Sequence, residues 1–185
     1  MGSVEGNPGV LMPPPDPAAK SWNAERVWDT SLHIVGSNTF RMWAGYWPIA
    51  IDAFAAPMNQ IPKAVFSKQG PSILQAAREV QAKLEALQPG AESWEQAYVA
   101  SGDLIEEITK LKAHDGKPMF AYGGASFARS LIAHDLIDQF ELAIIPIVLD
   151  HGLPIFTDLT QPRRLTLISS KAFPKGTIVN SYRPV

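Results

Sequence analysis

Residues 120–127 read FAYGGASF, and this stretch decides the fold class of the chain. The apolar residues before the two glycines predict a strand, and the residues from 125 to 134 predict a helix. Paired glycines between a strand and a helix let the backbone approach a ligand closely, and the start of a helix attracts phosphate, although paired glycines also make ordinary tight turns. The candidate phosphate-binding residues here are Gly123, Gly124, Ala125, Ser126 and Phe127.

Two earlier strands end in a similar way. The apolar run 31–35 predicts a strand that leads into a polar turn, and the run 64–67 predicts a second one. In open α/β sheets, ligands bind at the carboxyl ends of the strands, so we expect three strand ends to converge on one elongated anionic ligand. The candidate residues at these two ends are Gly36, Ser37, Asn38, Thr39, Ser67 and Lys68.

The remaining segments continue the alternation of strands and helices. Helices are predicted at 20–29 with Ser21 as its cap, at 40–47, at 72–87, and at 104–111 with Ser101 as its cap. Strands are predicted at 98–100, 118–122, 142–149, 165–169 and 177–182. The run 142–149 is almost continuously apolar, as in a strand buried on both faces. Turn residues at 174–176 favour an antiparallel pair at the end of the chain, so we expect a mainly parallel sheet with an antiparallel edge.

The composition indicates one domain. A chain of 185 residues with 46% hydrophobic content can bury one core, and we expect a single domain over 1–185, in which residues 1–17 form a Gly/Pro-rich arm or a truncated first element. A net charge of −2 gives no broad reason to bind nucleic acid or an anionic membrane. The absence of cysteine excludes disulfides and thiol catalysis. No apolar run reaches the roughly 20 residues of a membrane span, so we expect a soluble, cytoplasmic protein.

Other site chemistries find less support. Residues 124–128 approximate the nucleophile elbow of α/β hydrolases, but only residues 127–185 follow Ser126 to supply an acid and a histidine. A phosphate donor or a residue of the first helical turn is therefore the favoured interpretation of Ser126. The four histidines lack the spacing of a metal site, and none is predicted. Trp43 and Trp47 at helical spacing favour core packing over an aromatic wall for a flat heterocycle.

Five segments, in their order along the chain, resemble the dihydrofolate reductase superfamily. Within it, they are most similar to bacterial proteins resembling the C-terminal reductase domain of the riboflavin-biosynthesis deaminase-reductase. The segments are DTSLHIVGSNTFRMW at 29–43, KAVFSK at 63–68, VASGDLIEEITKLK at 99–112, MFAYGGASFARSL at 119–131 and LIDQFELAIIPIVLDHGLPIF at 136–156. The resemblance implies an α/β, dihydrofolate reductase-like three-layer fold, with a mainly parallel central sheet and antiparallel C-terminal edge strands.

The resemblance also implies a function. It implies an NADPH-dependent reductase of a small heterocyclic substrate, with 5-amino-6-(5-phosphoribosylamino)uracil of riboflavin biosynthesis as the first expectation, and it implies a homodimer. It places Gly36 to Thr39 near the phosphates, Ser67 and Lys68 near the adenosine 2′-phosphate, and Gly123 to Phe127 around the pyrophosphate.

Two departures from the family pattern leave an alternative open. Ser37 stands where the family usually has an arginine, so a bidentate phosphate donor is lost. The amino end offers only residues 3–6 where the family has a hydrophobic first strand leading into a substrate-facing loop. The alternative is a catalytically impaired nucleotide-binding or dimerisation protein with the same fold. The catalytic residue is unknown, and Glu5, Asp16 and Glu25 are candidate proton donors by location only.

Overall fold

The computed structural model describes residues 16–114, 116–122, 124–157 and 159–185. Residues 1–15 of the predicted arm, Glu5 among them, lie outside these ranges, and so does Gly123. The chain divides into two compact units, of which the first is residues 23–124. The second consists of residues 125–185 with the described residues of the segment 1–22. The single domain over 1–185 stays a prediction.

The first unit is built on a parallel sheet of four strands. The strands are β1 (Leu32–Gly36), β2 (Lys63–Phe66), β3 (Tyr98–Ala100) and β4 (Met119–Tyr122), and all four predicted strands are confirmed to within one residue at either end. They pair in the order β3, β2, β1, β4. The register aligns Gly36 with Phe66 and Val35 with Tyr122, so β1, β2 and β4 end at one edge of the sheet.

Helices of the first unit cover the sheet and close its core. They are α2 (Ser37–Tyr46), α3 (Ala55–Gln60), α4 (Leu74–Gln81) and α5 (Leu104–Lys112), with single 3₁₀ turns at Trp47–Ile49, Gly70–Ile73 and Ala91–Trp94. The core contains apolar side chains from β1, β2, α2, α3 and α4 and the buried indole of Trp94. None of the helices in the described ranges is both long and apolar enough to cross a bilayer.

The helix that was predicted over 72–87 is shorter in the structure. A 3₁₀ turn precedes α4, and α4 ends at Gln81. After it, the amide of Gln88 donates a 2.7 Å hydrogen bond to the carbonyl of Pro48, which draws the chain away from the helix axis. Leu87 is 45% exposed there, so a longer helix would bury little more apolar surface.

Two helices begin at a different cap from the predicted one. Helix α1 (Pro17–Val27) is capped by Asp16, whose Oδ1 accepts from two first-turn amides at 3.0 and 3.4 Å, and not by Ser21. Helix α5 is capped by Asp103 in the same way, at 2.9 and 3.1 Å, and not by Ser101. A cap must lie directly before the first helical residue to reach these amides, and only the aspartates do.

The second unit contains an antiparallel sheet. Its elements are α6 (Ala125–Ala133), β5 (Phe140–Ile144), β6 (Leu165–Ala172) and β7 (Ile178–Pro184), and the strands pair in the order β5, β7, β6. The predicted antiparallel pair at the end of the chain is confirmed. Its turn contains Gly176, whose φ of +87° is a backbone conformation that favours glycine.

The predicted strand over 142–149, buried on both faces, is wrong. Strand β5 ends at Ile144, and its last two residues are exposed. Pro146 cannot donate a hydrogen bond to a neighbouring strand, which explains why the pairing stops before it. Val148 is 97% exposed, so this apolar run does not enter a core among the described residues.

Candidate functional site

The first strand end is the junction of β1 and α2. Gly36 is the last residue of β1, and α2 begins with the next residue, so the predicted turn over 36–39 is one strand residue followed by the first helical turn. Gly36 is extended, with φ −78° and ψ 160°, and no side chain among the described residues caps the helix. The amide groups of the first turn are therefore left for water or a ligand, at the positive end of the helix dipole.

The end of β4 lies beside this junction. A Cβ atom added at Gly124 would be 3.7 Å from Oγ1 of Thr39, which is ordinary van der Waals contact. Two of the three predicted strand ends are thus neighbours. Without a side chain at Gly124, a ligand could approach the backbone there closely. Gly123, the other glycine of the predicted pair, is outside the described residues.

The third strand end follows β2. Ser67 is buried, and its amide donates to the carbonyl of Ala100 at 3.0 Å, which ties it to the end of β3. Its hydroxyl oxygen accepts from the amide of Gln69 at 3.2 Å, which shapes the turn after the strand. Lys68 is exposed. The structure therefore brings this predicted end to the same sheet edge as Gly36.

The other predicted site residues are Ala125, Ser126 and Phe127, the first residues of α6 in the second unit. Their part in ligand binding stays a prediction. Nδ1 of His134 lies 2.8 Å from the carbonyl of Ser130, and Ser130 in turn donates to the carbonyl of Ser126 at 3.1 Å. No histidine in the described part of the chain is hydrogen bonded to the Ser126 hydroxyl, so the geometry does not support a nucleophile elbow.

An aromatic cluster adjoins the ends of β1 and β4. The ring centres of Trp43 and Trp47 are 5.9 Å apart, and those of Trp43 and Tyr122 are 5.3 Å apart. Both indoles pack against the core, which confirms their predicted packing. The Tyr122 hydroxyl is buried and has no hydrogen-bond partner among the described residues. Burial raises the pKa of Tyr122, so the hydroxyl stays protonated.

Comparison with known proteins identifies the family of the chain. The model of the RibD C-terminal domain family matches residues 11–179 of the chain. The chain belongs to the RibD C-terminal domain family. Two proteins of Bacillus subtilis (strain 168), both described as uncharacterized, are similar to this chain. YyaP is 30% identical over 154 residues, covering 83% of this chain and 73% of YyaP. YwjB is 36% identical over 74 residues, covering 40% of this chain and 42% of YwjB.

Three solved structures have the same fold as this chain. A putative riboflavin biosynthesis protein from Shewanella sp. PV-4 has a TM-score of 0.60 at 19% identity, covering 97% of this chain and 84% of that one. A pyrimidine reductase-like protein from Corynebacterium diphtheriae has a TM-score of 0.60 at 19% identity, covering 100% and 87%. Acinetobacter baumannii RibD has a TM-score of 0.65 at 14% identity, covering 97% of this chain and 53% of that protein. The expected dihydrofolate reductase-like fold is confirmed.

Arg41 also lies at this sheet edge and was not among the predicted site residues. Its guanidinium donates to Oδ1 of Asn38 at 3.3 Å and to Oε1 of Gln69 at 2.5 Å. The arginine thereby links the start of α2 to the turn after β2. Its spacing of three from Asn38, on one helix face, was the only signal in the sequence.

The structure describes two of the three candidate proton donors. Asp16 is buried and already engaged, because it caps α1 and its Oδ2 accepts from the amide of Lys175 at 2.6 Å. Glu25 is an exposed side chain on α1, and Glu5 is outside the described residues. The described residues contain no group of three or more side chains that could hold a metal ion.

Two buried basic side chains lie near the opposite edge of the sheet. Nζ of Lys63 donates to the carbonyl of Asn59 at 2.8 Å and to Oγ of Ser93 at 2.5 Å, and it lies 4.8 Å from the ring centre of Trp94. Burial lowers the pKa of Lys63 to about 7 and that of its neighbour His33 to about 4. Because Lys63 is the first residue of β2, these groups lie at the amino ends of the strands, away from the candidate site.

Proposed function

We propose that this chain is an NADPH-dependent reductase of a small heterocyclic substrate. The observation that carries the proposal is the proximity of Gly124 to Thr39, which joins two strand ends of a parallel sheet beside an uncapped helix start. Elongated anionic ligands bind at such edges of α/β sheets. Membership of the RibD C-terminal domain family agrees with it.

The residues at this edge suit a dinucleotide. The first-turn amides of α2 have no side-chain cap and offer donors to a phosphate group, and Gly124 allows the backbone to come close. Ser67 and Lys68 follow the neighbouring strand and offer a hydroxyl and an ammonium group. We assign the phosphates to the region of Gly36–Thr39 and Gly124, and the adenosine 2′-phosphate to Ser67 and Lys68.

When bound, NADPH supplies the hydride, and the chain's own residues bind and orient the reactants. Trp43 and Tyr122 are partly buried and pack against the core next to the strand ends, so they support the backbone at this sheet edge.

The proposed substrate is a pyrimidine of the riboflavin pathway, 5-amino-6-(5-phosphoribosylamino)uracil. Support comes from the names of proteins with the same fold, one described as a putative riboflavin biosynthesis protein and another as pyrimidine reductase-like. Oxidation of NADPH that depends on this pyrimidine would support the substrate assignment. A purified protein that binds NADPH but leaves the pyrimidine unchanged would contradict it.

Titration with NADPH, followed by cofactor fluorescence and tryptophan quenching, tests the cofactor. We expect saturable binding that Gly124→Asp abolishes, because its carboxylate would repel the phosphates. Gly124→Ala is the matched control: its Cβ would lie 3.7 Å from Thr39, so folding should be unaffected and binding weakened less. Failure of the wild-type protein to bind NADPH or NADH at millimolar concentration would exclude the reductase function.

We also propose that the protein is a homodimer formed through its second unit. Seven of the eight residues of the edge strand β6 are exposed, including Leu167 at 53%. Exposed apolar surface at a sheet edge is typical of an interface. Sedimentation velocity should show a dimer that Leu167→Glu dissociates, whereas Leu87→Glu, at an exposed leucine of the other unit, should leave the dimer intact. A monomeric wild-type protein at micromolar concentration would refute this assembly.

A further inference from the structure

A cleft opens near the carboxyl end of α6, within the second unit. Its volume is about 320 Å³, at the lower end of the range for small-molecule sites. Residues just after α6, before β6 and at the end of β7 line it. They are Asp135, Pro162, Arg163, Arg164, Pro184 and Val185. The nine residues of α6, a length of about 13 Å, separate this cleft from Ala125 at the start of the helix.

Asp135 has an unusual backbone conformation at the edge of the cleft. Of the non-glycine residues that the structure describes, only Asp135 has a positive φ, of 57°. Its amide donates to the carbonyl of Ile132 at 3.2 Å, and the amide of Leu136 donates to that of Leu131 at 3.0 Å. These two hydrogen bonds end a helix at a position that usually holds glycine. An aspartate is less stable than a glycine in this conformation, so a further contact must hold it.

Arg163 supplies that contact. Its guanidinium forms an ion pair with the carboxylate of Asp135 and donates to the carbonyl of Ala133, the last residue of α6, at 3.4 Å. The side chain of Arg163 is 27% exposed, so the ion pair is partly shielded from water. The cleft therefore already contains one contact between a guanidinium and a carboxylate.

Arg164 is the second cation of the cleft. Its side chain is exposed, and no carboxyl group in the described part of the chain forms an ion pair with it. The main chain beside it is fixed, because the amide of Val185 donates to the carbonyl of Arg164 at 3.1 Å. Two arginines and one aspartate give the lining side chains a net charge of +1, which attracts an anion.

The other walls of the cleft are apolar. Pro162, Pro184 and Val185 carry no polar group on their side chains. An anion with an apolar body suits such a cleft better than a bare ion, because the body covers these walls while the charge contacts the arginine. A carboxylate is planar and matches the parallel N–H donors of a guanidinium.

We propose that this cleft binds a small carboxylate with an apolar body, held by the guanidinium of Arg164. Arg163 attracts the same carboxylate but shares its charge with Asp135. The cleft is a second ligand site, since none of its residues belongs to the predicted cofactor site. Its binding chemistry does not depend on the proposed function.

Titration with benzoate tests this site, followed by amide chemical shifts in two-dimensional NMR spectra at constant ionic strength. We expect saturable shifts centred on Asp135, Arg164 and Val185, with a dissociation constant on the order of 1 mM, as is usual for so small a ligand. Benzamide has the same shape without the charge. It should bind at least about tenfold more weakly, because the charge-assisted contact is lost.

Two variants should change the affinity in opposite directions. Arg164→Gln should weaken benzoate binding at least about tenfold, and its melting temperature should stay that of wild type, because this side chain is exposed. Asp135→Asn should strengthen binding about threefold or more, because it frees Arg163 from its ion pair and asparagine tolerates a positive φ. Arg78→Gln, at an exposed arginine of α4, is the matched control and should leave the affinity unchanged.

Failure of the wild-type protein to bind benzoate at about 50 mM would overturn the proposal. So would equal affinities for benzoate and benzamide, or equal affinities for benzoate in wild type, Arg164→Gln and Asp135→Asn. The titration contains neither NADPH nor a reductase substrate, so its result stands whether or not the proposed function holds.

Discussion

Mild acid should destabilise this protein through one buried histidine. His33 is completely buried, and its Nε2 donates to the carbonyl of Pro57 at 3.2 Å. Burial disfavours the charged imidazolium and lowers the pKa of His33 from 6.5 to about 4, since the hydrogen bond to Pro57 offsets only part of that effect. The nearby ammonium group of Lys63 lowers the pKa further.

The sign and size of the effect follow from linkage. In the unfolded chain, His33 binds a proton near pH 6.5, whereas in the folded protein it does so only near pH 4. The contribution of neutral His33 to the free energy of unfolding is fully present above pH 6.5. It decreases as the pH falls from 6.5 to about 4, and below that pH it no longer changes. At about 1.4 kcal/mol for each pKa unit, the loss amounts to roughly 3 kcal/mol. That is a large part of the stability of a typical domain.

Urea unfolding between pH 7 and pH 4, followed by tryptophan fluorescence, measures this loss. The signal reports mainly on the first unit, which contains Trp28, Trp43, Trp47 and Trp94. His33→Leu should show a fall in the free energy of unfolding about 3 kcal/mol smaller than that of wild type. The carbonyl of Pro57 keeps a partner in this variant, because it also accepts from the amide of Ile61 at 3.2 Å.

An exposed histidine provides the control. His114→Leu should show the same pH dependence as wild type, because its imidazole is exposed at the end of α5. Parallel curves for wild type and His33→Leu between pH 7 and pH 4 would refute the reasoning. They would mean that His33 is charged in the folded protein or is not buried.

Two further predictions test the local structure. Gly90→Ala should destabilise the protein by roughly 2 kcal/mol or more, because Gly90 has a φ of +85° and the new Cβ would lie 2.9 Å from the carbonyl oxygen of Asn59. Gly116→Ala, with nothing within 4 Å of its Cβ, should be nearly neutral, and equal melting temperatures would refute the steric argument. Asp103→Ala should cost about 1 kcal/mol in urea unfolding through the lost helix cap. Ser101→Ala should leave the free energy of unfolding almost unchanged. A larger loss in Ser101→Ala than in Asp103→Ala would mean that Ser101 is the cap.

Much of the candidate site was predictable because its signals are local. Strand ends at Gly36 and Ser67 could be found from apolar runs that stop at polar or glycine residues, and the resemblance of five ordered segments implied the fold. The caps of α1 and α5 were predicted at the wrong residues because serine and aspartate have similar preferences for the N-cap position. Only the backbone geometry shows which residue directly precedes the helix.

The sequence by itself determined the four parallel strands and the resemblance to the family, since hydrophobic periodicity and turn residues act over a few neighbouring positions. It also determined that the last two strands, β6 and β7, are antiparallel, through the turn at Gly176. The tertiary structure alone decided that Arg41 reaches Gln69, 28 positions away, and that Lys63 is buried against Trp94. Basic side chains are usually exposed, so no local pattern predicts their burial or their partners. Those contacts depend on which strands become neighbours in the sheet, and this is settled only when the whole core packs.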